Sequence, residues 1–299
     1  MSISSVIVTY NPNIALLSNL ISENVNSFKE VKVVDNASDN ISEIKSITSS
    51  FDNVELIPLS ENVGIATAQN IAIQHLSHLN DDELVSFFDQ DSTLDNDYLT
   101  RLELEFSELE ATKDKGLILG PVFYHRHFKF EYPIVRFNRH GVRKKLFASQ
   151  SEEPTDASCI ISSGMCVRKK TLDIVGLMDD ELFIDYVDTE WCMRAKNKGI
   201  SILVSPKLEM EHEIGMDNIQ VLKWRVPVHS AKRRYYRIRN SFYLGRYTYI
   251  PRLVVFREIT FSIVHQLLLS IMSKEKCEHL KSLFRGIKDG LAHKRDCQL

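Results

Sequence analysis

Cysteines are few in this sequence, and no two of them have a metal-binding or redox spacing. Five cysteines occur among 299 residues, an odd number, and none forms a Cys-x-x-Cys pair. A disulfide framework uses an even set of cysteines in an oxidising compartment. We therefore expect a reduced, cytosolic chain.

Segments that direct a chain to or through a membrane are also scarce. The N-terminal residues lead straight into an apolar stretch without a basic region or a cleavage site, so no signal peptide is expected. Residues 253–272 are rich in apolar side chains, but polar residues interrupt them, whereas a spanning helix needs about 20 predominantly apolar residues. This segment is predicted to pack on the body of the protein, and a position on a membrane surface is the alternative.

Glycine-rich phosphate-binding motifs are missing as well. The sequence contains neither G-x-G-x-x-G nor G-x-x-x-x-G-K-[S/T], which argues against a Rossmann dehydrogenase and a P-loop NTPase. The loop after the first predicted strand is Asn11-Pro12-Asn13. It lacks the glycine and arginine residues that nucleotidyltransferases making sugar nucleotides would carry there.

Acidic residues are rare in the C-terminal part of the chain. Residues 218–299 hold 17 Lys and Arg against 5 Asp and Glu, whereas residues 1–217 hold 20 against 35. This contrast indicates an acidic catalytic domain over 1–217 and a basic, aromatic-rich helical region over 218–299. The basic region is expected to face phosphates or a membrane surface. A solvated helical face that maintains solubility is the alternative.

The first half of the chain alternates short β-rich runs with apolar residues at helical spacing. Four strands are predicted, at 5–10, 31–34, 54–57 and 84–88. Such alternation predicts βαβ units and a mainly parallel, Rossmann-like α/β sheet. Further along, the pattern predicts a helix over about 188–198, a last strand at 202–204 and a helical texture beyond 217. Residues 120–155 show no regular pattern.

Polar loops follow the four predicted strands. In open parallel sheets, ligands bind outside the carboxyl ends of the strands. Asp89-Gln90-Asp91 follows an apolar strand directly, and two carboxylates two residues apart can bind Mg²⁺ or Mn²⁺ together with phosphate oxygens. Any single loop of this composition is typical of a turn or an N-cap. Four at one edge of a sheet indicate a site.

Five motifs occur in a defined order along the chain. They are Thr9-Tyr10-Asn11, Asp35-Asn36-Ala37-Ser38-Asp39, Glu61-Asn62-Val63-Gly64 with Asn70, Phe88-Asp89-Gln90-Asp91-Ser92, and Asp185-Tyr186-Val187-Asp188-Thr189-Glu190-Trp191-Cys192-Met193-Arg194. Together they resemble family 2 glycosyltransferases of the GT-A fold. The Asp89-Gln90-Asp91 form of the metal motif, the block from Asp185 to Cys192 and the arginine-rich run at 233–240 are similar to bacterial rhamnosyltransferases of O-antigen and capsule polysaccharide assembly. The resemblance spans roughly residues 3–245 and implies a GT-A domain with a C-terminal helical appendage.

The resemblance implies a role for each matching residue. Asp35 would accept the imide N–H of the nucleobase, and Asp91 would bind a divalent cation directly. Asp89 would contact the ribose or the water shell of the cation, and His212 would be a further ligand or, alternatively, a histidine that only packs. The residues expected at the nucleotide sugar are Thr9, Tyr10, Asn11, Asp35, Asn36, Asn62, Gly64, Asn70, Asp89, Gln90, Gly164 and Arg234.

Asp188 is the catalytic base that the resemblance implies. Many relatives carry Glu-Asp ahead of an Asp/Glu-x-x-x-Arg segment, and aligning that segment with Glu190 and Arg194 places Asp188 on the Asp. This chain has Val187 in place of the Glu, which leaves Asp185 as a rival. The start of a helix favours the ionised carboxylate that a base needs. A plain N-cap is the structural alternative for Asp188.

The implied reaction is one in-line displacement on a nucleotide sugar. dTDP-L-rhamnose is the expected donor and a saccharide, free or lipid-linked, the acceptor. A UDP-sugar is the alternative donor because thymine and uracil present the same imide edge to Asp35. A non-enzymatic nucleic-acid binder using the basic, aromatic run 232–237 is the rival from another class, although no nucleic-acid partner is expected. The reaction is expected in the cytoplasm, with peripheral contact to the inner membrane face through the basic C-terminal region.

Overall fold

The computed structural model of the protein describes residues 3–125, 130–212, 217–221, 224–273 and 275–292, without the side chains of 212, 217–221 and 224–228. The strands are β1 Ile3–Thr9, β2 Glu30–Asp35, β3 Val54–Pro58, β4 Leu84–Asp89, β5 Leu117–His125, β6 Ile134–Phe137, β7 Arg143–Leu146, β8 Thr155–Asp156, β9 Cys166–Arg168, β10 Ser201–His212, β11 Asp217–Val221 and β12 Trp224–Val228. The α-helices are α1 Ile14–Asn24, α2 Ile41–Thr48, α3 Gly64–His75, α4 Tyr98–Glu110, α5 Lys169–Val175, α6 Val187–Asn197, α7 Ala231–Tyr243, α8 Arg252–Met272 and α9 Lys276–Ala292.

Eight strands form one central sheet in the order β3-β2-β1-β4-β9-β5-β10-β8. The first four strands along the chain are parallel, as are β5 and β10, whereas β9 and β8 run antiparallel to their neighbours. Thr9 pairs with Asp35, and Val8 pairs with Asp89, so the polar loops leave the sheet at the same edge. The predicted mainly parallel α/β sheet is confirmed.

The sheet is apolar on both faces because helices cover both. Successive residues of β4 contribute to opposite cores: Phe87 packs with α3 on one side, and Phe88 packs with α1 and α4 on the other. Strands buried on both faces have nearly continuous apolar sequences, and β4 reads Leu-Val-Ser-Phe-Phe up to its final Asp89. The polar residue at the strand end therefore marks the point where the chain leaves the core.

Three helices, α7 to α9, pack together after the sheet. A third apolar cluster joins them to α6, with Tyr186 and Met193 on one side and Leu244 and Tyr247 on the other. The C-terminal helices are thus attached beside the segment that contains Asp188. The predicted boundary between residues 217 and 218 stays a prediction.

Several elements differ from the prediction. Residues 120–155, which lacked a pattern, contribute β6, β7, β8 and most of β5, and β10 extends far beyond the predicted 202–204. The stretch after 217 begins with the β11–β12 hairpin before the helices start, so 202–204 is not the last strand.

The prediction that residues 253–272 pack on the body is wrong for most of α8. Of its most apolar 18-residue window, 22% is buried, and large apolar side chains point outward. Among the described residues, α8 alone is long and apolar enough to cross a membrane by length and composition.

Candidate active site

The Asp-Gln-Asp motif ends β4 and is tied to the loop after β1. Asp89 is the last residue of the strand, and Asp91 is exposed. Between them, the Gln90 amide accepts a hydrogen bond from the Tyr10 backbone N–H at 2.7 Å and donates one to the Tyr10 carbonyl at 3.3 Å. The two loops are therefore held side by side, and the Tyr10 side chain is half exposed at their rim.

Asp35 lies at the base of the first two loops. It is buried and accepts hydrogen bonds from the Thr9 hydroxyl at 2.8 Å, the Ser38 backbone N–H at 2.9 Å and the Ser38 hydroxyl at 2.5 Å. Asn11, in a left-handed conformation with φ of 46°, accepts from the Asp39 N–H at 2.8 Å and donates its own N–H to Ser38. These bonds preorganise the place where the nucleobase is expected.

The predicted asparagines hold loops in position. Asn36 accepts a hydrogen bond from the Val63 N–H at 2.8 Å and donates to the Asn62 side chain at 3.2 Å. Asn70 uses both ends of its amide on the backbone of Met178, at 2.8 and 2.9 Å. Asn36 therefore joins the loops that follow β2 and β3, and Asn70 connects α3 to the segment that leads into α6.

Position 64 must be glycine because Phe183 lies against its backbone. Its φ is +84°, and a Cβ there would lie 2.5 Å from the Phe183 carbonyl oxygen. That carbonyl accepts a hydrogen bond from the Ile65 N–H at 2.7 Å at the start of α3. Gly64 was expected at the nucleotide sugar, and the close approach that the structure shows at this residue is to Phe183.

Asp188 meets Asp89 across the carboxyl edge of the sheet. Burial and the nearby Asp89 carboxylate raise the pKa of Asp188 from 3.8 to about 7. The Ser162 backbone N–H and hydroxyl hydrogen-bond to the Asp188 carboxylate and oppose this rise in pKa, and Ser162 in turn accepts a bond from Gln69 at 3.1 Å. Asp188 is the second residue of α6 and is not its N-cap. The helix start thus brings a carboxylate to the metal motif.

The loop before α6 is strained and firmly held. Phe183, Asp185 and Tyr186 all have positive φ, at 62°, 63° and 66°. Such conformations cost non-glycine residues about 1–3 kcal/mol each. The buried Asn240 side chain of α7 donates to three carbonyls between Leu182 and Asp185, at 2.6, 2.8 and 3.2 Å. This arrangement sets the direction in which the chain enters α6 and therefore the position of Asp188.

Asp185 faces the C-terminal helices. Its carboxylate pairs with Arg233 at 3.3 Å and with Arg237 at 3.2 Å. Burial acts to raise the pKa of Asp185, but the two guanidinium groups outweigh it, and the pKa lies below 3.8. A carboxylate held by two arginines is a weak proton acceptor, so the geometry favours Asp188 as the base.

Arg234 does not face the expected nucleotide site. Its side chain is 1% exposed and points to α8, where it donates to the Gln266 side chain at 2.8 Å and the Ser262 carbonyl at 2.9 Å. Burial, with a smaller contribution from Arg237, lowers its pKa to about 10. The prediction is corrected: Arg234 holds α7 against α8.

Gly164 packs against the sheet beside the metal motif. Its φ is +69°, and a Cβ would lie 2.6 Å from the Met210 sulfur. Its N–H donates to the Phe87 carbonyl at 2.7 Å, and the preceding Ser163 hydroxyl accepts from the Asp89 N–H at 3.4 Å. Gly164 therefore lets the segment carrying Ser162 and Ser163 lie close to the end of β4.

A divalent cation fits the donors at this edge. Asp89 ends β4 and Asp91 is exposed two residues later, so both offer carboxylate oxygens at the carboxyl edge of the sheet. In the described residues, no three His, Cys, Asp or Glu side chains form a metal-binding group, and the His212 side chain lies outside that part. Two carboxylates suit Mg²⁺ or Mn²⁺ if phosphate oxygens and water complete the shell.

Several residues of the site were not found from the sequence. Ser162 and Gln69 support Asp188, and Arg233, Arg237 and Asn240 support its loop. The last three are spaced i, i+4 and i+7 on α7 and share one face. That spacing was a readable signal, whereas Ser162 lies in a segment without periodicity.

The mainly parallel α/β sheet carries two carboxylates and a candidate base at its carboxyl edge. This arrangement is that of the class of GT-A glycosyltransferases. A crystal structure of GalNAc-T7 with UDP, GalNAc and Mn²⁺ is similar in fold, with a TM-score of 0.58 and 15% identity over 92% of this chain and 58% of that one. A structure of Staphylococcus aureus TarS 1-349 has a TM-score of 0.55 and 17% identity, covering 97% of this chain and 81% of that one.

The chain belongs to glycosyl transferase family 2, whose model matches residues 4–174. A dTDP-rhamnosyl transferase, RfbF of Shigella flexneri, is 39% identical over 290 residues, which covers 97% of this chain and 95% of that protein. The protein is therefore a glycosyltransferase, and the family expected from the motifs is confirmed.

Proposed function

We propose that this protein transfers L-rhamnose from dTDP-β-L-rhamnose to a saccharide acceptor, with inversion at the anomeric carbon. The reaction type rests on membership of glycosyl transferase family 2, and the Asp188 carboxylate, which interacts with Asp89 and accepts hydrogen bonds from Ser162, is the proposed base. The donor rests on the 39% identity to the Shigella flexneri dTDP-rhamnosyl transferase.

The reaction is a single displacement. Asp188 accepts the proton of an acceptor hydroxyl while that oxygen forms a bond to the anomeric carbon. The bond from this carbon to the donor phosphate breaks, and its electron pair leaves with dTDP. One displacement converts a β-L-rhamnosyl donor into an α-L-rhamnoside.

The loops at the carboxyl edge of the sheet supply the proposed contacts to the donor. Asp35 accepts the imide N–H of thymine, and the Tyr10 ring lies against the base at the rim. Asp89 and Asp91 hold a divalent cation, which when bound neutralises the departing diphosphate. Ser162 holds the Asp188 carboxylate in place, and the pKa of that carboxyl, about 7, suits proton transfer near neutral pH.

The acceptor is proposed to be a lipid-linked saccharide of surface polysaccharide assembly, met in the cytoplasm. The described cysteines are free thiols, in keeping with that compartment. The rival nucleic-acid role loses support because the basic run 232–237 is not an open patch: Arg234 is buried, and Arg233 and Arg237 pair with Asp185.

A donor panel tests the proposal. Purified protein is given dTDP-L-rhamnose, UDP-sugars and GDP-sugars with Mg²⁺ or Mn²⁺, and binding and turnover are measured separately. We expect dTDP-L-rhamnose to raise the melting temperature most and to be turned over. A UDP-sugar preferred in both assays would overturn the donor assignment.

Asp188→Asn tests the base in the same assays. We expect the variant to bind the donor normally and to lose about 10²–10⁴-fold in kcat, which is the usual contribution of a general base. Asp52→Asn, at an exposed carboxylate beyond α2, is the matched control and should keep full activity. A fully active Asp188→Asn would move the base elsewhere.

A further inference from the structure

The polarity of α8 is inverted relative to a helix on the surface of a soluble protein. Its buried side chains include the polar residues Ser262 and Gln266, at 2% and 0% exposure. Its outward side chains are apolar, with Phe256 and Phe261 at 69% and 66% exposure. A surface helix normally turns its apolar stripe inward. The outer face of α8 is therefore built for contact with an apolar medium.

The outward apolar residues of α8 form a stripe that one exposed polar residue, Thr260, interrupts. Leu253, Phe256, Val264, Leu267 and Ile271 are spaced by multiples of three, four and seven residues, which places them on one side of the helix. The inward polar residues are satisfied within the protein. The Gln266 side chain, for example, accepts from Arg234 and donates to the His279 carbonyl at 2.6 Å.

The neighbouring helix α9 also exposes apolar side chains. Leu280, Phe284 and Leu291 are exposed at i, i+4 and i+11. The exposed cations Lys281 and Arg285 lie beside this stripe. Basic residues flanking an exposed apolar stripe are typical of helices that lie in the interface of an anionic membrane.

We propose that the outer faces of α8 and α9 dock the protein peripherally on an anionic lipid bilayer. The occupant follows from charge: α8 and α9 carry six Lys and Arg against three Asp and Glu, so this net positive surface attracts acidic lipid headgroups and repels the same surface of a second copy. A spanning helix is disfavoured because the buried polar groups of α8 are already paired with α7 and α9.

The docking surface is connected to the active-site loop. The Tyr186 hydroxyl donates to the Glu258 carboxylate at 3.1 Å and contacts the Ser262 hydroxyl at 3.2 Å. Tyr186 lies two residues before Asp188. Membrane docking thus holds the proposed base near the bilayer surface, where a lipid-linked acceptor would present its sugar; this last step rests on the proposed function.

Vesicle co-sedimentation without any nucleotide sugar tests the docking. The full chain is mixed with vesicles of phosphatidylethanolamine and phosphatidylglycerol, or of phosphatidylcholine alone, at low and high salt. We expect binding to the anionic vesicles, weakened by salt, and a loss of about ten-fold or more in vesicle affinity for the combined variant Phe256→Asn, Phe261→Asn and Phe284→Asn. Leu104→Asn, at an equally exposed apolar side chain on α4, is the matched control.

A second measurement does not depend on the folding of the triple variant. Phe256→Trp should be quenched by vesicles with brominated acyl chains, whereas Leu104→Trp should not. Equal vesicle binding by the triple variant and the wild type would overturn the proposal. The proposal would also be overturned if the protein were a dimer in solution and the triple variant were a monomer. Resistance of the bound protein to alkaline carbonate extraction would overturn it as well. Because these assays contain no donor, a negative result would refute the membrane docking and would not bear on the proposed rhamnosyl transfer.

Discussion

Replacing Asp188 with Asn is expected to make the metal-free protein more stable while it lowers kcat by about 10²–10⁴-fold. The folded protein raises the pKa of this carboxyl from 3.8 to about 7, chiefly by burial and then through Asp89. Each pKa unit corresponds to about 1.4 kcal/mol, so the ionised form at pH 8 costs at most about 4 kcal/mol. Since Asp188 is only partly buried from solvent, we take about 2 kcal/mol. Asn has nearly the same volume and carries no charge.

The assay is thermal unfolding in EDTA between pH 5 and pH 8.5. Between pH 3.8 and about 7, the folded wild type holds a proton on Asp188 that the unfolded chain has lost, so this contribution to stability declines as the pH rises. The Asp188→Asn variant has no such pH-dependent contribution to its stability. We therefore expect its advantage in melting temperature to be small at pH 5 and to reach roughly 4 °C at pH 8.

Asp185→Asn is the control with the opposite sign. The pKa of Asp185 is lowered because Arg233 and Arg237 outweigh burial, so removing its charge leaves two guanidinium groups without their carboxylate. We expect a loss of about 1–3 kcal/mol at neutral pH. If Asp188→Asn lowered the melting temperature at pH 8, or if its advantage did not change with pH, the reasoning about burial and Asp89 would be refuted.

Three further perturbations test the surroundings of the base. Ser162→Ala removes a hydroxyl that lowers the pKa of Asp188, so the acidic limb of kcat against pH should move up by about one unit; an unchanged profile would exclude this role. Gly64→Ala forces a Cβ onto the Phe183 carbonyl at positive φ and should cost about 2–3 kcal/mol in denaturant unfolding, where a neutral result would contradict the packing. Asn240→Ala removes the amide that donates to three loop carbonyls and should lower stability by about 1–3 kcal/mol, with kcat falling more than donor affinity; equal falls would point to general unfolding.

The parallel half of the fold could be predicted because its signals are local. β1 to β4 are short apolar runs followed by helices whose apolar residues recur every three or four positions. β9 could not be predicted in the same way. It has three residues, Cys166–Arg168, and its place between β4 and β5 depends on pairing between distant parts of the chain. Local periodicity carries no information about such pairing.

The carboxylates of the candidate site could be predicted from the sequence. The residues that hold them in place could be predicted less well. Asp35 and Asp89 follow strands, so their edge of the sheet could be inferred. Arg234 was misassigned because a run of similar arginines does not show which of them faces the site. Helical phase separates them, since Arg233 and Arg237 are one turn apart and Arg234 lies about 100° away. The same consideration explains α8, where composition alone hid which face was apolar.

The hold of Asn240 on the loop before α6 has a consequence for biosynthesis. All eight strands of the central sheet are complete once residue 212 has been made, but the side chain that fixes this loop lies 28 positions further along the chain. Domains generally fold in the order in which they leave the ribosome. A nascent chain can therefore complete the sheet and the loops at its carboxyl edge while the side chain that fixes the position of Asp188 has not yet been made.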